Sequence, residues 1–314
     1  METVMQGYDT LIVTLPRDYV RCRASQKRLV DLLPGDQIIY VGNAEIGELV
    51  SKEVFGSRVS SVLEDSIIPF DAVHQIVCDI LGSKDVPRGV TGWYYQQFLK
   101  MEYARSCKKS YYMVWDGDTV PCKAFQMFDA TDGRPFFDLK TEYHEPYFVT
   151  LQKIFPHMGK CLKKSFISEH MLISVEVMCQ MLDEIEQNGL LNGVTFYEKI
   201  LRCMSPQELL DSAFSEFETY GTYVTLRYPD MYHYRVWHSF RNAGAFLDPA
   251  AISEKTYAWF AKDIDALSFE KADELRDDCR NIFDNARYQE RLSARQVLEI
   301  AQEEFKEGYI EVWD

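Results

Sequence analysis

YYMVWDGDTVP, residues 111–121, is an apolar run that stops at two aspartates one residue apart. Asp and Gly are the usual residues of a tight reversal. Two carboxylates just past a buried strand can instead hold a cation, and the surrounding chain decides between these readings. A hairpin needs an alternating strand on each side, and VPCKAF (120–125) is a poor partner because it carries Pro121. YYMVW is apolar at every position, as in a central strand covered on both faces. The position of Asp116 and Asp118 favours the cation site.

Working outward from that strand, the chain alternates strand and helix. Asp9 to Leu15 reads as a strand closed by Pro16, and VRCRASQKRLVDLL (20–33) has helical spacing ending at Pro34-Gly35. DQIIYVGN (36–43) is a second strand followed by the helix-like AEIGELVSKEVF (44–55). SRVSSVLED (57–65) is a third strand with a helix behind it. Such alternation implies a parallel, helix-covered sheet, whose ligands sit beyond the carboxyl ends of its strands. TGWYYQQFLKMEYARSCKK (91–109) precedes the aspartate strand as a helix. At about 100° per residue, Tyr94, Phe98 and Met101 share one side, while Gln96, Gln97 and Lys100 cluster opposite, with Trp93 beside them. That polar cluster is either a solvated face or, from its place before the aspartates, part of a site.

A chain of 314 residues, 46% hydrophobic and 14% aromatic, is a folded globular protein with a sizeable core. Its net charge of −15 argues against a protein that coats nucleic-acid phosphates. No run approaches the ~18 apolar residues of a membrane span, and LIVTL (11–15) is too short for a signal peptide. The eight cysteines have no metal-like spacing, which predicts reduced thiols and a cytoplasmic protein, peripheral at most to the inner face of the membrane.

D-x-D has a direct physical logic. Residues i and i+2 of extended backbone point the same way, so two carboxylates converge on one cation. Mg²⁺ and Mn²⁺ prefer hard oxygen ligands and are commonly shared between one or two carboxylates and substrate phosphates.

IVTLPRDY (12–19), GWYYQQFLKM (92–101), YYMVWDGDT (111–119), SFISEHM (165–171) and FSEFETYGTYV (214–224), in that order, resemble bacterial nucleotide-sugar glycosyltransferases of the GT-A fold. The set is similar to a poorly characterised group associated with surface-polysaccharide synthesis, and the likeness spans roughly residues 7–245. It implies an α/β fold: a Rossmann-like, mixed and mostly parallel sheet covered by helices. It also implies transfer of a sugar from a nucleoside diphosphate-sugar donor, UDP-linked for instance, to a glycan or lipid-linked acceptor, with Mn²⁺ or Mg²⁺ on the diphosphate.

The resemblance assigns roles to particular residues. Asp118 is the direct metal ligand, and Asp116 reaches the metal or the donor ribose. Arg17, Asp18 and Arg21 lie where such enzymes hold the nucleotide, with Gln97 and Lys100 facing the donor phosphates. Glu216 is the acceptor-side base if the reaction inverts the anomeric centre, supported by Glu218, and the sequence leaves inversion and retention open. His238, or His233, is the third metal ligand by order along the chain, and His170 contacts the acceptor. Residues 1–245 form the catalytic domain. Residues 246–314, acidic with apolar residues at helical spacing, form a helical appendage packed on it or pairing two copies as a homodimer. Two rivals remain: a nucleotidyl- or phosphotransferase, which lacks a G-x-x-x-x-G-K-[ST] phosphate loop here, and a non-catalytic nucleotide- or sugar-binding module.

Overall fold

A computed structural model describes residues 7–270, 282–283 and 285–304. Its strands are β1 (Tyr8–Val13), β2 (Ile38–Gly42), β3 (Val59–Leu63), β4 (Tyr111–Asp116), β5 (Thr119–Pro121), β6 (Phe136–Leu139), β7 (His170–Ser174), β8 (His233–Val236), β9 (Ser239–Phe240) and β10 (Ala266–Ser268). The main sheet has five strands in the order β3-β2-β1-β4-β7. β3, β2, β1 and β4 run parallel, and β7 joins the β4 edge antiparallel. The fold is therefore a mixed, mostly parallel α/β sheet, as the resemblance implies, with β7 departing from the wholly parallel sheet that alternation alone suggests.

β4 shows why its sequence is apolar throughout. Side chains alternate across a strand. Tyr112 and Val114 enter one core with Tyr94, Phe98 and Met101 of the long helix Arg88–Ser106. Met113 and Trp115 enter a second core on the opposite face. Both faces are sealed, so no polar alternation is tolerated until Asp116, which ends the strand beside Val13 of β1.

The second core crosses position 245. Tyr257, Phe260, Ile264, Leu267, Phe269, Val297 and Leu298 pack there with Ile12, Met113 and Trp115. The stretch after residue 250 also differs from an all-helical reading, because Ala266–Ser268 is the middle strand of a second sheet, β5-β10-β9. Thr119–Pro121 thus becomes a strand after all. Its partner is β10, antiparallel, and not β4, so the aspartates do not sit in a hairpin. The remainder of that stretch, 271–281, 284 and 305–314, lies outside the described residues. Among the described residues no helix is long and apolar enough to cross a membrane, and the seven described cysteines are free.

Candidate active site

The D-G-D turn is pinned on every side. The Asp116 amide donates to the Glu169 carbonyl (2.9 Å), and the Phe269 amide donates to the Asp118 carbonyl (2.9 Å). The Trp115 indole donates to the Thr119 carbonyl (2.8 Å), and the Thr119 and Ser268 hydroxyls pair at 2.7 Å. Gly117 lies so close to β1 that a Cβ there would stand 2.7 Å from the Thr14 side chain. Only glycine permits that approach without movement. Asp116 and Asp118 therefore emerge from a rigid turn at the carboxyl end of a central strand.

Their surroundings are electrostatically unequal. Lys100, 2% exposed, donates to Asp116 Oδ1 (2.7 Å) and to Glu216 Oε1 (2.8 Å). Burial alone opposes its charge, but the two carboxylates outweigh it and hold the ammonium pKa above its ordinary value. The charged groups acting on Asp118 are instead carboxylates. Burial, together with Asp116, Glu270 and Asp18, pushes its carboxyl up to about 7.

The residues expected at the site have these partners. Lys100, expected at the donor phosphates, links Asp116 and Glu216. Gln97, 2% exposed, accepts from the Glu216 amide (3.0 Å) and donates to the Trp93 carbonyl (3.1 Å), which fastens the start of the Glu216 helix. The polar side of the long helix is thus turned inward onto the site. His170 has both ring nitrogens engaged, by the Ser168 carbonyl (2.8 Å) and Asp138 (2.9 Å), and packs against Trp115 and Trp237 at 1% exposure. These contacts hold the ring inside the fold.

His233 pairs with Asp132 (2.8 Å). The His238 amide donates to Asp265 (2.9 Å). Among the described residues no three His, Cys, Asp or Glu side chains are gathered to hold a metal, so Asp116, Asp118 and His238 do not form a closed triad.

The remaining assignments fall where the strand order puts them. Asp18 and Arg21 pair at 3.0 Å on the short helix Pro16–Arg21 after β1, and Arg21 also donates to the Phe269 carbonyl (2.6 Å). Arg17 lies beside them, exposed. Glu216 and Glu218 open the helix Glu216–Arg227, whose Ser215 cap accepts from the Glu218 amide. Glu218 accepts from the Ser165 hydroxyl (2.6 Å) and the Phe166 amide (3.2 Å). The Phe166 ring in turn rests on Gly221, where a Cβ would come within 2.3 Å of it.

Sequence reasoning missed a second charged cluster under the turn. Lys140 donates to Glu169 (2.9 Å) and to Ser239 (2.6 Å), and Ser239 donates to the other Glu169 oxygen (2.8 Å). Glu169 carries the carbonyl that receives the Asp116 amide, and its φ of 62° is left-handed. Such a backbone costs about 1–3 kcal/mol and persists only where its surroundings hold it. Arg241 bridges Glu142 and Glu270 beside this cluster. The one available signal was the glutamate beside His170 in SFISEHM.

Residues 49–285 match the family model described as a family of unknown function, DUF6492, and the chain belongs to that family. No curated protein matches it. Among solved structures it is similar to mouse xyloside xylosyltransferase 1 in its apo form, at 12% identity, 73% of this chain, 84% of that one and a TM-score of 0.37. It is also similar to the galactosyltransferase LgtC in complex with donor and acceptor sugar analogs, at 11% identity, 94% and 95% coverage and a TM-score of 0.39. A third is the apo-form glycosyltransferase GlyE of Streptococcus pneumoniae TIGR4, at 10% identity, 95% and 64% coverage and a TM-score of 0.34.

Proposed function

We propose that this protein is a metal-dependent glycosyltransferase. It moves a sugar from a nucleoside diphosphate-sugar to a glycan or lipid-linked glycan acceptor in bacterial surface-polysaccharide synthesis. The observation that carries this reading is the pinned D-G-D turn at the carboxyl end of β4, where open α/β sheets bind ligands.

The site suits a divalent cation. Asp118 is desolvated among other carboxylates, a repulsion that a cation would relieve. The side chains of Asp116 and Asp118 are hard oxygen donors of the kind that share Mg²⁺ or Mn²⁺ with diphosphate oxygens. Asp118 would be the direct ligand, with Asp116 beside it. When bound, Mn²⁺ or Mg²⁺ supplies positive charge to the diphosphate leaving group.

The chain's own residues supply the rest. Lys100 fixes Asp116 and Glu216 as one unit, so donor side and acceptor side share a rigid link. Arg17, Asp18 and Arg21 border the nucleotide position after β1. Glu216 serves as the acceptor-side carboxylate, and Glu218 holds the Ser165–Phe166 segment next to it.

The deciding experiment measures melting temperature with UDP, GDP and CDP, with and without Mn²⁺. One of these diphosphates is expected to raise it only with the metal present, since a ligand at 100 times its Kd stabilises by about 2.7 kcal/mol. A response to nucleoside triphosphates alone points to the nucleotidyltransferase reading. No response to any nucleotide overturns the proposal.

A further inference from the structure

From Pro146 to Ser168 the chain contains no acidic residue, although its net charge is −15. The same stretch carries Lys153, Lys160, Lys163, Lys164 and His157. Lys153 is taken by Glu208 (2.5 Å). Among the described residues Lys160, Lys163 and Lys164 form no ion pair. A positive segment in so acidic a protein, with three lysines outside any ion pair among the described residues, is a local field of the sign that gathers anions.

This segment is built onto the acceptor side of the site. It follows the helix Glu145–Ile154, which packs on the helix Glu216–Arg227. Its far end is fastened by Glu218, through Ser165 and Phe166. Lys160 lies over the rings of Phe148 (4.9 Å) and Tyr143 (5.4 Å), and its ammonium donates to the Lys164 carbonyl (3.0 Å). Those two rings stack at 5.7 Å with an interplanar angle of 16°, and Tyr143 keeps 60% of its surface exposed. Next to Tyr143, Glu142 pairs with Arg241, which reaches Glu270 beside the D-G-D turn. Lys160 also acts electrostatically on Glu218. The patch therefore begins where the catalytic carboxylates end.

We infer that the surface formed by Tyr143, Lys160, Lys163 and Lys164 is an acceptor subsite for an acidic oligosaccharide. The open Tyr143 face offers the flat apolar platform on which a sugar ring stacks, and the lysines pair with carboxylates or phosphates along the chain. The inference rests on the glycosyl-transfer reading above and adds the charge class of its acceptor.

The test is direct binding by calorimetry to the full-length protein. The probes are tetragalacturonate, neutral maltotetraose, and phosphatidylcholine vesicles containing phosphatidylglycerol. Tetragalacturonate is expected to bind at least about tenfold tighter than maltotetraose, and more weakly as salt is raised. The double variant Lys163→Gln/Lys164→Gln should lose about tenfold, the sum of two exposed ion pairs. Tyr143→Ala should weaken both saccharides and lower the melting temperature only slightly, because most of the ring is open to water and it loses only its contacts with Phe148 and Lys160. Equal affinity for the two saccharides, or undiminished tetragalacturonate binding by the lysine variant, overturns the inference. So does binding to the vesicles without binding to tetragalacturonate, which would make the patch a membrane contact. The nucleotide melting experiment on the same preparations keeps the two proposals separable: a nucleotide response without charge preference sinks only this one.

Discussion

Lys100 and Glu216 lie 116 positions apart in the chain and meet at 2.8 Å, both almost fully buried. The same ammonium holds Asp116 at 2.7 Å. A buried cation shared by two carboxylates does not by itself argue for stability, because desolvation offsets much of the attraction. Removing only the cation is another matter, since it strands both carboxylates.

Lys100→Met is accordingly expected to destabilise the fold by about 3–5 kcal/mol, the usual cost of breaking a buried pair. Chemical denaturation monitored by tryptophan fluorescence measures it. A loss below about 1 kcal/mol would mean that Asp116 and Glu216 do not depend on this link.

Asp118→Asn should behave in the opposite way. Its carboxyl is crowded by Asp116, Glu270 and Asp18, so removing its charge relieves a repulsion in the fold. The melting temperature is expected to equal or exceed that of the parent, while the Mn²⁺-dependent nucleotide response disappears. A variant that keeps that response rules out Asp118 as the metal ligand.

How much of this was legible can be followed residue by residue. β4 was readable because burial on both faces leaves an unbroken apolar run, and the aspartates were readable as its end. Pro121 misled, since proline disfavours a central strand but is tolerated at the end of a short one, and the partner lay almost 150 positions downstream. For Lys100 and Gln97 the choice between a solvated face and a site stayed open, because helical periodicity cannot say what covers the polar side. Lys140 carried no local signal and Glu169 only its place beside His170, because their value comes from a pairing across the fold and from a backbone angle. What holds His170 was not legible, because its partner Asp138 lies 32 positions away in the chain.

Asp138 governs the expected acid response. Burial by itself would raise its carboxyl, but hydrogen bonds from Arg235 (2.6 and 2.7 Å) and from His170 hold it below the ordinary range. A carboxylate depressed in the folded state contributes stability that is present above its unfolded pKa of about 3.9 and lost as pH falls through the folded value. Asp138→Asn is expected to lower stability at neutral pH by about 3–5 kcal/mol and to flatten its decline below about pH 4. Parallel stability curves for the two proteins across that range would refute the assignment.

Glu216→Gln tests the acceptor base. In an inverting reaction, loss of such a base costs about 10²–10⁴-fold in rate. Transfer to the acceptor should fall by that amount while donor and metal still bind. Glu218→Gln should cost less, acting only through the Ser165–Phe166 segment. NMR of the new linkage must accompany the kinetics. An inverted product from an unimpaired Glu216→Gln enzyme removes the residue from the mechanism.

Gly221 offers the sharpest contest between local propensity and packing. It lies inside the helix Glu216–Arg227, where alanine is intrinsically better by about 1 kcal/mol. Considered alone, Gly221→Ala should therefore stabilise. But the Phe166 ring rests on this position, and an added Cβ would come within 2.3 Å of its Cγ, closer than packed atoms stand. Phe166 is 1% exposed and packed edge-on to Phe137 at 5.2 Å, so its ring has nowhere to retreat. Overpacking of this kind typically costs about 1–3 kcal/mol, more than the propensity gain. The consequence reaches the site, because the Phe166 amide and the Ser165 hydroxyl are the two donors that hold Glu218. Gly221→Ala is expected to lower the melting temperature and, in the same protein, to weaken acceptor binding more than the Mn²⁺-dependent nucleotide response. A stabilised variant would show that the Phe166 loop yields freely, and Glu218 would then lose its role as the anchor of the acceptor side.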